Sequence, residues 1–150
     1  MIVREFKQKD KSLFLELCRE FYDSSATVGN FREDIAKMTF DRVMDHHENL
    51  WGFMLVDADT DKAVGYSLIT SYWCNEEGGN VLVLDELYIA PDNRKKGYAS
   101  IFMEWVQEYY RDEAVAITLE VLTTNQAACS LYKKEGFQPD GFITYTKKIK

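Results

Sequence analysis

The segment best suited to chemistry is a short basic stretch that ends at Gly97. Arg94, Lys95 and Lys96 place three cationic side chains directly before this glycine, where helical periodicity begins. Glycine lacks a Cβ, so ligands can approach its backbone closely, and the free N–H groups of a first helical turn carry the positive end of the helix dipole. Such a helix start binds phosphate, whereas the alternative is a solvated basic turn. The stretch lacks the GxxxxGK[ST] and GxGxxG patterns, which excludes two common kinds of phosphate loop.

A second pair of candidate residues lies in a predicted short helix. Asn125 and Tyr132 are seven residues apart, which corresponds to about 700° of rotation and roughly 10 Å of rise in an α-helix. The two side chains therefore share one helix face at different depths, so both can contact one elongated ligand. The alternative for Tyr132 is a core aromatic residue that packs against the sheet.

Two adjacent carboxylates precede the basic stretch. Asp85 and Glu86 lie on a predicted strand, where successive side chains point to opposite faces. Only one of them is therefore expected to face a bound ligand. The alternative is that one is a partly solvated strand carboxylate and the other pairs with a lysine.

Two sequence blocks resemble the signatures of one enzyme superfamily. Arg94-x-x-Gly97-x-Ala99, which follows Leu87-Tyr88-Ile89, resembles the pyrophosphate loop of the GNAT superfamily of acetyl-CoA-dependent N-acetyltransferases. The second block resembles that family's second signature, a helix beside the thioester followed by a Gly-Phe turn. It reads Asn125-x-x-Ala128-x-x-Leu131-Tyr132-x-x-x-Gly136-Phe137.

The resemblance implies acetyl-CoA as the acyl donor and coenzyme A as the product. It implies that the pantetheine amides pair with the strand backbone of Leu87, Tyr88 and Ile89. It also implies that the pyrophosphate lies on the loop and the first helical turn. Those residues are Arg94, Lys95, Lys96, Gly97, Tyr98, Ala99 and Ser100.

The resemblance also implies catalytic roles. Tyr132 takes the position of the phenol that donates its proton to the departing thiolate, and Asn125 that of a side chain on the pantetheine arm. Asp85 and Glu86 match an acidic pair in polyamine acetyltransferases of the superfamily, which implies amine binding or water-relayed deprotonation. Many members have no dedicated base, so it stays open whether one exists here and which carboxylate it is.

The expected acceptor wall consists of aromatic and acidic residues from the first two helices, their loop and the hairpin edge. Aromatic rings and carboxylates together favour an organic cation, through cation–π contacts and charge attraction. A small cationic amine is therefore the first choice of acceptor, and an amine of a protein or peptide is the second. A non-catalytic acyl-CoA-binding module is the competing class. The wall residues are Phe21, Tyr22, Asp23, Phe31, Tyr72 and Trp73, together with Asp85 and Glu86.

Hydrophobic periodicity predicts the elements that position these residues. The pattern favours a mixed α/β sheet of about seven strands with four helices, which the GNAT resemblance expects to splay at the cofactor site. Strand 81–89, helix 96–111 and strand 114–122 form a βαβ crossover, and ligands gather at the C-terminal ends of such strands, here just after Ile89. The predicted order is strand 1–6, helices 11–23 and 30–46, strands 50–56, 63–73 and 81–89, helix 96–111, strand 114–122, a short helix capped by Thr124-Asn125 that runs through Glu135, and final strands at Phe137 and over 142–149.

Charge limits the remaining functional classes. The 150 residues carry a formal charge of −7, which argues against nucleic acid as a partner because nonspecific affinity requires clustered lysine and arginine. Residues 12–93 hold 16 acidic and 5 basic residues, whereas the rest of the chain holds 9 acidic and 13 basic residues. One part of the surface therefore suits cations and another suits anions.

Length and the absence of a linker predict one N-acetyltransferase domain over residues 1–150. Three widely spaced cysteines without a leader segment predict a reducing, cytoplasmic location. No apolar run approaches the roughly 20 residues that span a bilayer, so no membrane contact is expected. His46 and His47 are adjacent and have no third ligand at a suitable spacing, so no metal is expected. The sequence leaves open whether the chain forms a homodimer.

Overall fold

The computed structural model of the chain describes residues 1–46 and 49–149, so His47 lies outside the described part. Besides two short 3₁₀ helices, nine α-helices and β-strands make up the regular structure of these residues. They are β1 (Ile2–Glu5), α1 (Lys11–Tyr22), α2 (Glu33–Met44), β2 (Leu50–Val56), β3 (Ala63–Cys74), β4 (Gly79–Ile89), α3 (Tyr98–Tyr109), β5 (Ala116–Leu119) and α4 (Gln126–Lys134).

The five strands form one sheet in the order β1-β2-β3-β4-β5, antiparallel from β1 to β4 and parallel between β4 and β5. The predicted mixed α/β sheet, its hairpin and its crossover are thereby confirmed. The predicted final strands are wrong, because residues 142–149 form no strand and the described chain has five strands. The side chains of this segment include Phe142, Ile143 and Tyr145, which are exposed. A segment that alternates apolar and polar residues forms a strand only where a neighbouring strand pairs with it.

The helices are slightly shorter than the sequence pattern predicts. α3 begins at Tyr98 rather than at residue 96, because Gly97 has a φ of +80°, outside the helical region. α1, α2 and α3 contain 12 residues each, against about 20 for a helix that crosses a bilayer. Within residues 1–46 and 49–149, no helix combines the length and the apolar character of a membrane span.

Each face of the sheet has its own aromatic core. On the face covered by α1 and α2, the Phe14 ring lies 5.8 Å from Phe40 and meets Tyr66 of β3 edge to face at 5.2 Å. On the other face, Phe53 of β2 packs against Trp105 of α3 at 5.0 Å. Burial of one such side chain stabilises the fold by about 1.5–3 kcal/mol. The two cores therefore hold the helices firmly on opposite faces.

A β-bulge interrupts β4 close to its C-terminal end. Leu68 of β3 pairs with Glu86, and the next residue, Ile69, pairs with Leu84. Asp85 is therefore an extra residue without a partner on β3. A bulge breaks the alternation of side chains, bends the strand and increases its twist.

The bulge lies where β4 leaves β5. The last parallel pair joins Leu84 to Leu119, and β5 ends there, three residues earlier than predicted. Leu84 and Leu87 both pack in the core beneath α3, a step of three residues where a regular strand has a step of two. Beyond the bulge, β4 thus continues with β3 on one side only.

A buried ion pair fixes β1 to the turn before α1. The Arg4 guanidinium donates two hydrogen bonds to the Asp10 carboxylate, at 2.7 and 2.9 Å, and the Lys7 backbone N–H donates a third at 2.7 Å. Asp10 is only 4% exposed. Burial by itself raises the pKa of Asp10, but the hydrogen bonds from Arg4 and Lys7 favour the charged form more, so the pKa lies below its ordinary value.

Arg4→Met should lower the free energy of unfolding at pH 7 by about 2–4 kcal/mol, because it leaves a buried carboxylate without its counter-ion. A group whose pKa is lowered by folding stabilises the fold above its unfolded pKa, about 3.9 for Asp, and loses that effect as pH falls through its folded pKa. The difference between variant and wild type should therefore shrink below pH 4 in urea unfolding measurements.

The matched control is Arg111→Met, which removes an exposed arginine paired with Glu108 on α3. Exposed pairs contribute about 0–1 kcal/mol, so this variant should unfold almost as the wild type does. An equal loss for Arg4→Met at pH 7 and at pH 2 would contradict the assignment.

Candidate active site

The divergence of β4 and β5 opens a cleft with a volume of about 680 Å³, within the usual range of about 300–1,000 Å³ for small-molecule sites. Four carboxylates and no lysine or arginine occur among the described residues that line it. The cleft therefore attracts cations and repels anions. The acidic residues are Asp85, Glu86, Glu120 and Asp140, and the lining also includes Phe21, Tyr22, Leu87, Asn125 and Tyr132.

The bulge brings Asp85 and Glu86 to the same cleft, so the prediction that only one of them faces the site is wrong. The prediction assumed the regular alternation of an uninterrupted strand. In a bulge, two successive residues stand opposite one partner residue, and that alternation fails. Two carboxylates are thereby concentrated where β4 becomes free of β5.

Phenol groups hold both carboxylate oxygens of Glu86. Tyr66 Oη donates to Oε2 at 2.6 Å, and Tyr22 Oη donates to Oε1 at 2.9 Å. Glu86 is 8% exposed. Burial raises the pKa of Glu86, and the Asp85 charge acts in the same direction, although both phenols favour the charged form. The carboxylate is thus fixed in orientation and titrates at a higher pH than an ordinary glutamate.

Asp85 lies among like charges on the β5 side of the cleft. Desolvation of its carboxyl group and repulsion from Glu120 raise the pKa of Asp85. Asp85, Glu86 and Glu120 therefore repel one another when all three are ionised. A cation bound between them would relieve that repulsion.

The backbone of residues 87–89 continues β4 beyond the bulge, starting at Leu87, which lines the cleft. Leu87 pairs with Ser67 and Tyr88 with Tyr66 on the β3 side, whereas the opposite side lies beyond the last pair with β5. The Tyr88 ring is buried, and its hydroxyl donates to Glu20 of α1 at 2.9 Å. This edge of β4 therefore presents backbone N–H and C=O groups that a ligand can pair with.

α4 forms the opposite wall. Asn125 Oδ1 accepts a hydrogen bond from the Ala128 N–H at 3.2 Å, which confirms the predicted cap, and Gly136 has the predicted left-handed backbone with a φ of +90°. Tyr132 packs against Phe137 with ring centroids 5.8 Å apart and lines the cleft. Burial raises the pKa of Tyr132, so its phenol stays protonated at neutral pH.

Two residues of the basic loop between β4 and α3 have left-handed backbone conformations. Lys95 and Gly97 have φ angles of +61° and +80°. The first hydrogen bond of α3 joins the Ile101 N–H to Gly97 O at 3.0 Å, so the N–H groups of residues 98–100 lie ahead of the helical ladder. The Lys95 and Lys96 side chains are exposed. The loop thus combines backbone donors with cationic groups.

Three side chains anchor this loop. Arg94 Nε donates to the carbonyl group at the end of β4 at 2.9 Å. The Tyr98 hydroxyl donates to Asp57 in the β2–β3 turn and helps to hold the pKa of Asp57 at about 2. Ser100 Oγ donates to Glu135 Oε1 at the end of α4, at 2.6 Å. Both the hairpin and α4 thereby fix the position of the loop.

Four residues of the predicted acceptor wall lie outside the cleft, and they are Asp23, Phe31, Tyr72 and Trp73. Tyr72 pairs with Val81, four residues before Asp85, which is about 13 Å along a strand. It is exposed on the projecting end of the β3–β4 hairpin together with Trp73. Phe31 lines a separate pocket between α1 and α2. The sequence pattern located the ends of both hairpin strands to within two residues, but it did not give their register, which decides the position of Tyr72 relative to the cleft.

Sequence analysis missed two β3 residues that support Glu86. Tyr66 holds its carboxylate, and Ser67 Oγ donates to its backbone carbonyl at 2.8 Å, and both are fully buried. Their alternation with apolar neighbours predicts only a strand. Their roles follow from the strand register, which sets Leu68 opposite Glu86.

Comparisons with known proteins find a family model and a relative that match most of the chain. The model of a family described as the acetyltransferase (GNAT) family matches residues 12–137. A D-amino-acid N-acetyltransferase of Saccharomyces cerevisiae is 23% identical over 152 aligned positions, which cover 91% of this chain and 92% of that protein.

Solved structures share the fold. An integron cassette protein from the mobile metagenome of Cole Harbour Salt Marsh superposes with a TM-score of 0.82 at 20% identity, over 99% of this chain and 90% of its own. A ribosomal-protein-alanine N-acetyltransferase from Brucella melitensis biovar Abortus 2308 superposes with a TM-score of 0.77 at 14% identity, over 99% of this chain and 100% of its own.

Tyr22→Phe should raise the pKa of Glu86 further, because it removes a hydrogen bond that favours the charged carboxylate. The pKa can be followed through the carboxyl carbon shift in an NMR titration. Tyr88→Phe is the matched control, since it removes a phenol that donates to Glu20 on the same face of the sheet. A pKa of Glu86 that stays the same or falls in Tyr22→Phe would contradict this description.

Proposed function

The chain belongs to the GNAT family of acetyltransferases, and we propose that it transfers the acetyl group of acetyl-CoA to the primary amine of a small cationic molecule. The observation that carries this proposal is the acidic cleft that opens where β4 leaves β5. It combines a free backbone edge, a protonated phenol and clustered carboxylates within one site. These are the groups that aminolysis of a thioester requires.

The backbone edge and the basic loop fit acetyl-CoA. The free side of residues 87–89 suits the pantetheine amides, because it offers both donors and acceptors. The loop suits the pyrophosphate, because N–H groups at a helix start lie beside Arg94, Lys95 and Lys96. When bound, acetyl-CoA supplies an activated acyl group and a thiolate leaving group.

Tyr132 is the general acid in this proposal. It lines the cleft on the α4 side, and its raised pKa keeps a proton on the phenol for transfer to the departing sulfur. Asn125 caps the N-terminal end of α4, lines the same cleft as Tyr132 and contacts the pantetheine arm in this proposal. Its Oδ1 already caps α4, so its Nδ2 group is the donor for that contact.

Asp85 and Glu86 recruit the acceptor amine as its ammonium ion. A carboxylate next to an ammonium group stabilises the charged form, so recruitment opposes the deprotonation that attack requires. Proton transfer through water to Glu86 resolves this conflict, since a carboxylate with a raised pKa is the better proton acceptor. Glu86 is also the more rigidly held of the two, by Tyr22 and Tyr66.

A small molecule is the favoured acceptor. The yeast relative acts on D-amino acids by its description and aligns over most of both chains. The cleft contains four carboxylates and is of small-molecule size. Cys18, Cys74 and Cys129 are free thiols, which supports a reducing, cytoplasmic location for the enzyme.

Gly97→Glu should weaken acetyl-CoA binding by at least tenfold in calorimetry, because it places a carboxylate where the pyrophosphate must bind. A Cβ at Gly97 meets no atom within 4 Å, so a loss of acetyl-CoA affinity would not result from a steric clash of this Cβ with the protein. Gly78→Glu is the matched control, with a φ of +68° and equally open surroundings in the β3–β4 turn. Equal affinities of the two variants for acetyl-CoA would show that the loop does not bind the pyrophosphate.

Tyr132→Phe should lower kcat by about 10²- to 10⁴-fold, the usual contribution of a general acid, and leave acetyl-CoA affinity unchanged. The assay follows free thiol release from acetyl-CoA with a panel of small amines and a lysine peptide. Tyr110→Phe is the control, because its buried hydroxyl has no hydrogen-bond partner among the described residues and lies away from the cleft.

The same assay tests the proposed function itself. Thiol release that depends on a small amine supports it, whereas release only with the peptide overturns the small-molecule acceptor. Binding of acetyl-CoA with no thiol release for any amine would identify a non-catalytic acyl-CoA-binding module. Wild-type turnover in Tyr132→Phe would reduce Tyr132 to a packing residue.

A further inference from the structure

A second and smaller cavity lies behind Glu86, between α1, α2 and β3. Its volume is about 170 Å³, whereas sites that enclose a whole ligand have volumes of about 300–1,000 Å³. We call it the helix pocket, and its apolar lining consists of Phe14, Cys18, Phe31, Ile35, Ala36 and Leu68. Its size suits one substituent of a ligand that is bound elsewhere.

The helix pocket adjoins the cleft at one hydrogen-bonded pair. Tyr22 and Glu86 line both cavities, and the Tyr22 hydroxyl donates to Glu86 at 2.9 Å. The two cavities therefore meet at this pair. A ligand whose amine lies beside Glu86 can extend from the cleft into the helix pocket past this carboxylate.

The charges of the helix pocket are arranged in a simple pattern. Glu86 and Arg32 are the only charged groups among the described residues that line it. Glu86 is 8% exposed, whereas the Arg32 side chain is 63% exposed. The pocket thus has a buried negative end, a solvent-facing positive end and walls between them that are apolar except for Tyr22, Asn30 and Thr39.

We propose that the helix pocket binds the apolar side chain of an amino-acid acceptor, whose ammonium group lies at Glu86 and whose carboxylate pairs with Arg32. This inference rests on the proposed acetyl transfer, and it replaces the small cationic acceptor with an amino acid, whose ammonium group is balanced by its own carboxylate. A polyamine fits poorly, because a second ammonium group among apolar walls would have no second carboxylate to pair with. A hydrophobic zwitterion matches both charges and the apolar walls.

Side-chain size provides the first test. The series alanine, norvaline and leucine is assayed as both enantiomers, since burial of each methylene contributes about fourfold in affinity. In the wild type, kcat/KM should rise at least tenfold from alanine to leucine for the preferred enantiomer. In Ala36→Leu, which fills the pocket, that gradient should fall below about threefold while alanine is still acetylated.

Two further variants keep this test decisive. Ala114→Leu adds the same volume next to a groove beneath α3, on the other face of the sheet, and should retain the gradient. Ile35→Ala enlarges the helix pocket and should shift the preference toward phenylalanine, even if Ala36→Leu fails to fold. A gradient that survives in Ala36→Leu, or a wild-type preference for polyamines, would overturn the proposal.

The acceptor carboxylate provides the second test. Phenylalanine should be acetylated at least tenfold more efficiently than phenethylamine, which lacks only the carboxylate, and Arg32→Gln should abolish this preference. Arg111→Gln is the matched control, since Arg32 and Arg111 are similarly exposed and each pairs with an acidic neighbour. An unchanged preference in Arg32→Gln would remove Arg32 from the acceptor site.

A binding measurement separates this inference from the proposed function. Calorimetry of leucine and alanine with the coenzyme A-loaded protein requires no turnover. Tighter binding of leucine, lost in Ala36→Leu, would support the pocket even if thiol release failed and the proposed activity were rejected. Turnover of simple amines without any side-chain preference would retain the activity and reject the pocket.

Discussion

One extra residue in β4 determines the shape of the functional side of this protein. Without Asp85, the residues after it would exchange faces, because side chains alternate along a strand. Leu87 would then leave the core beneath α3, and Glu86 would leave its phenol partners. The bulge allows β4 to place apolar residues on the face beneath α3 and two successive carboxylates on the cleft side, which a regular strand cannot do. The bulge also lies at the end of the β4–β5 ladder. The same position in β4 therefore opens the cleft and places its carboxylates.

A buried carboxylate such as Glu86 destabilises a fold unless hydrogen bonds replace its lost hydration. Here Tyr22 and Tyr66 supply that replacement, and Ser67 satisfies the backbone carbonyl that the bulge removes from the ladder. The desolvation extends to a neighbour, since burial and the Glu86 charge raise the pKa of Cys18 to about 12. Cys18 is therefore an unreactive thiol beside a buried carboxylate.

Local signals in the sequence predicted local structure well. Asn125 and Gly136 fixed both ends of α4, because a cap and a left-handed glycine depend only on nearby backbone. The basic loop followed from residue types for the same reason. Tyr72 was misplaced and the bulge at Asp85 was missed, because both depend on the register between β3 and β4. The exposed segment 142–149 shows the same limit, since alternation alone does not supply a partner strand.

The hydrogen bond between Ser100 and Glu135 has a consequence for anion exchange at the loop. It holds a carboxylate beside the first turn of α3, where the helix dipole favours negative charge. The positive end of α3 is thus partly neutralised by the protein itself. Under the proposed function, an incoming phosphate would compete with this internal counter-ion, which would lower the affinity for small anions that make no other contact. A ligand with a long arm along β4 would overcome that competition through its additional contacts, so the loop would discriminate by ligand length as well as by charge.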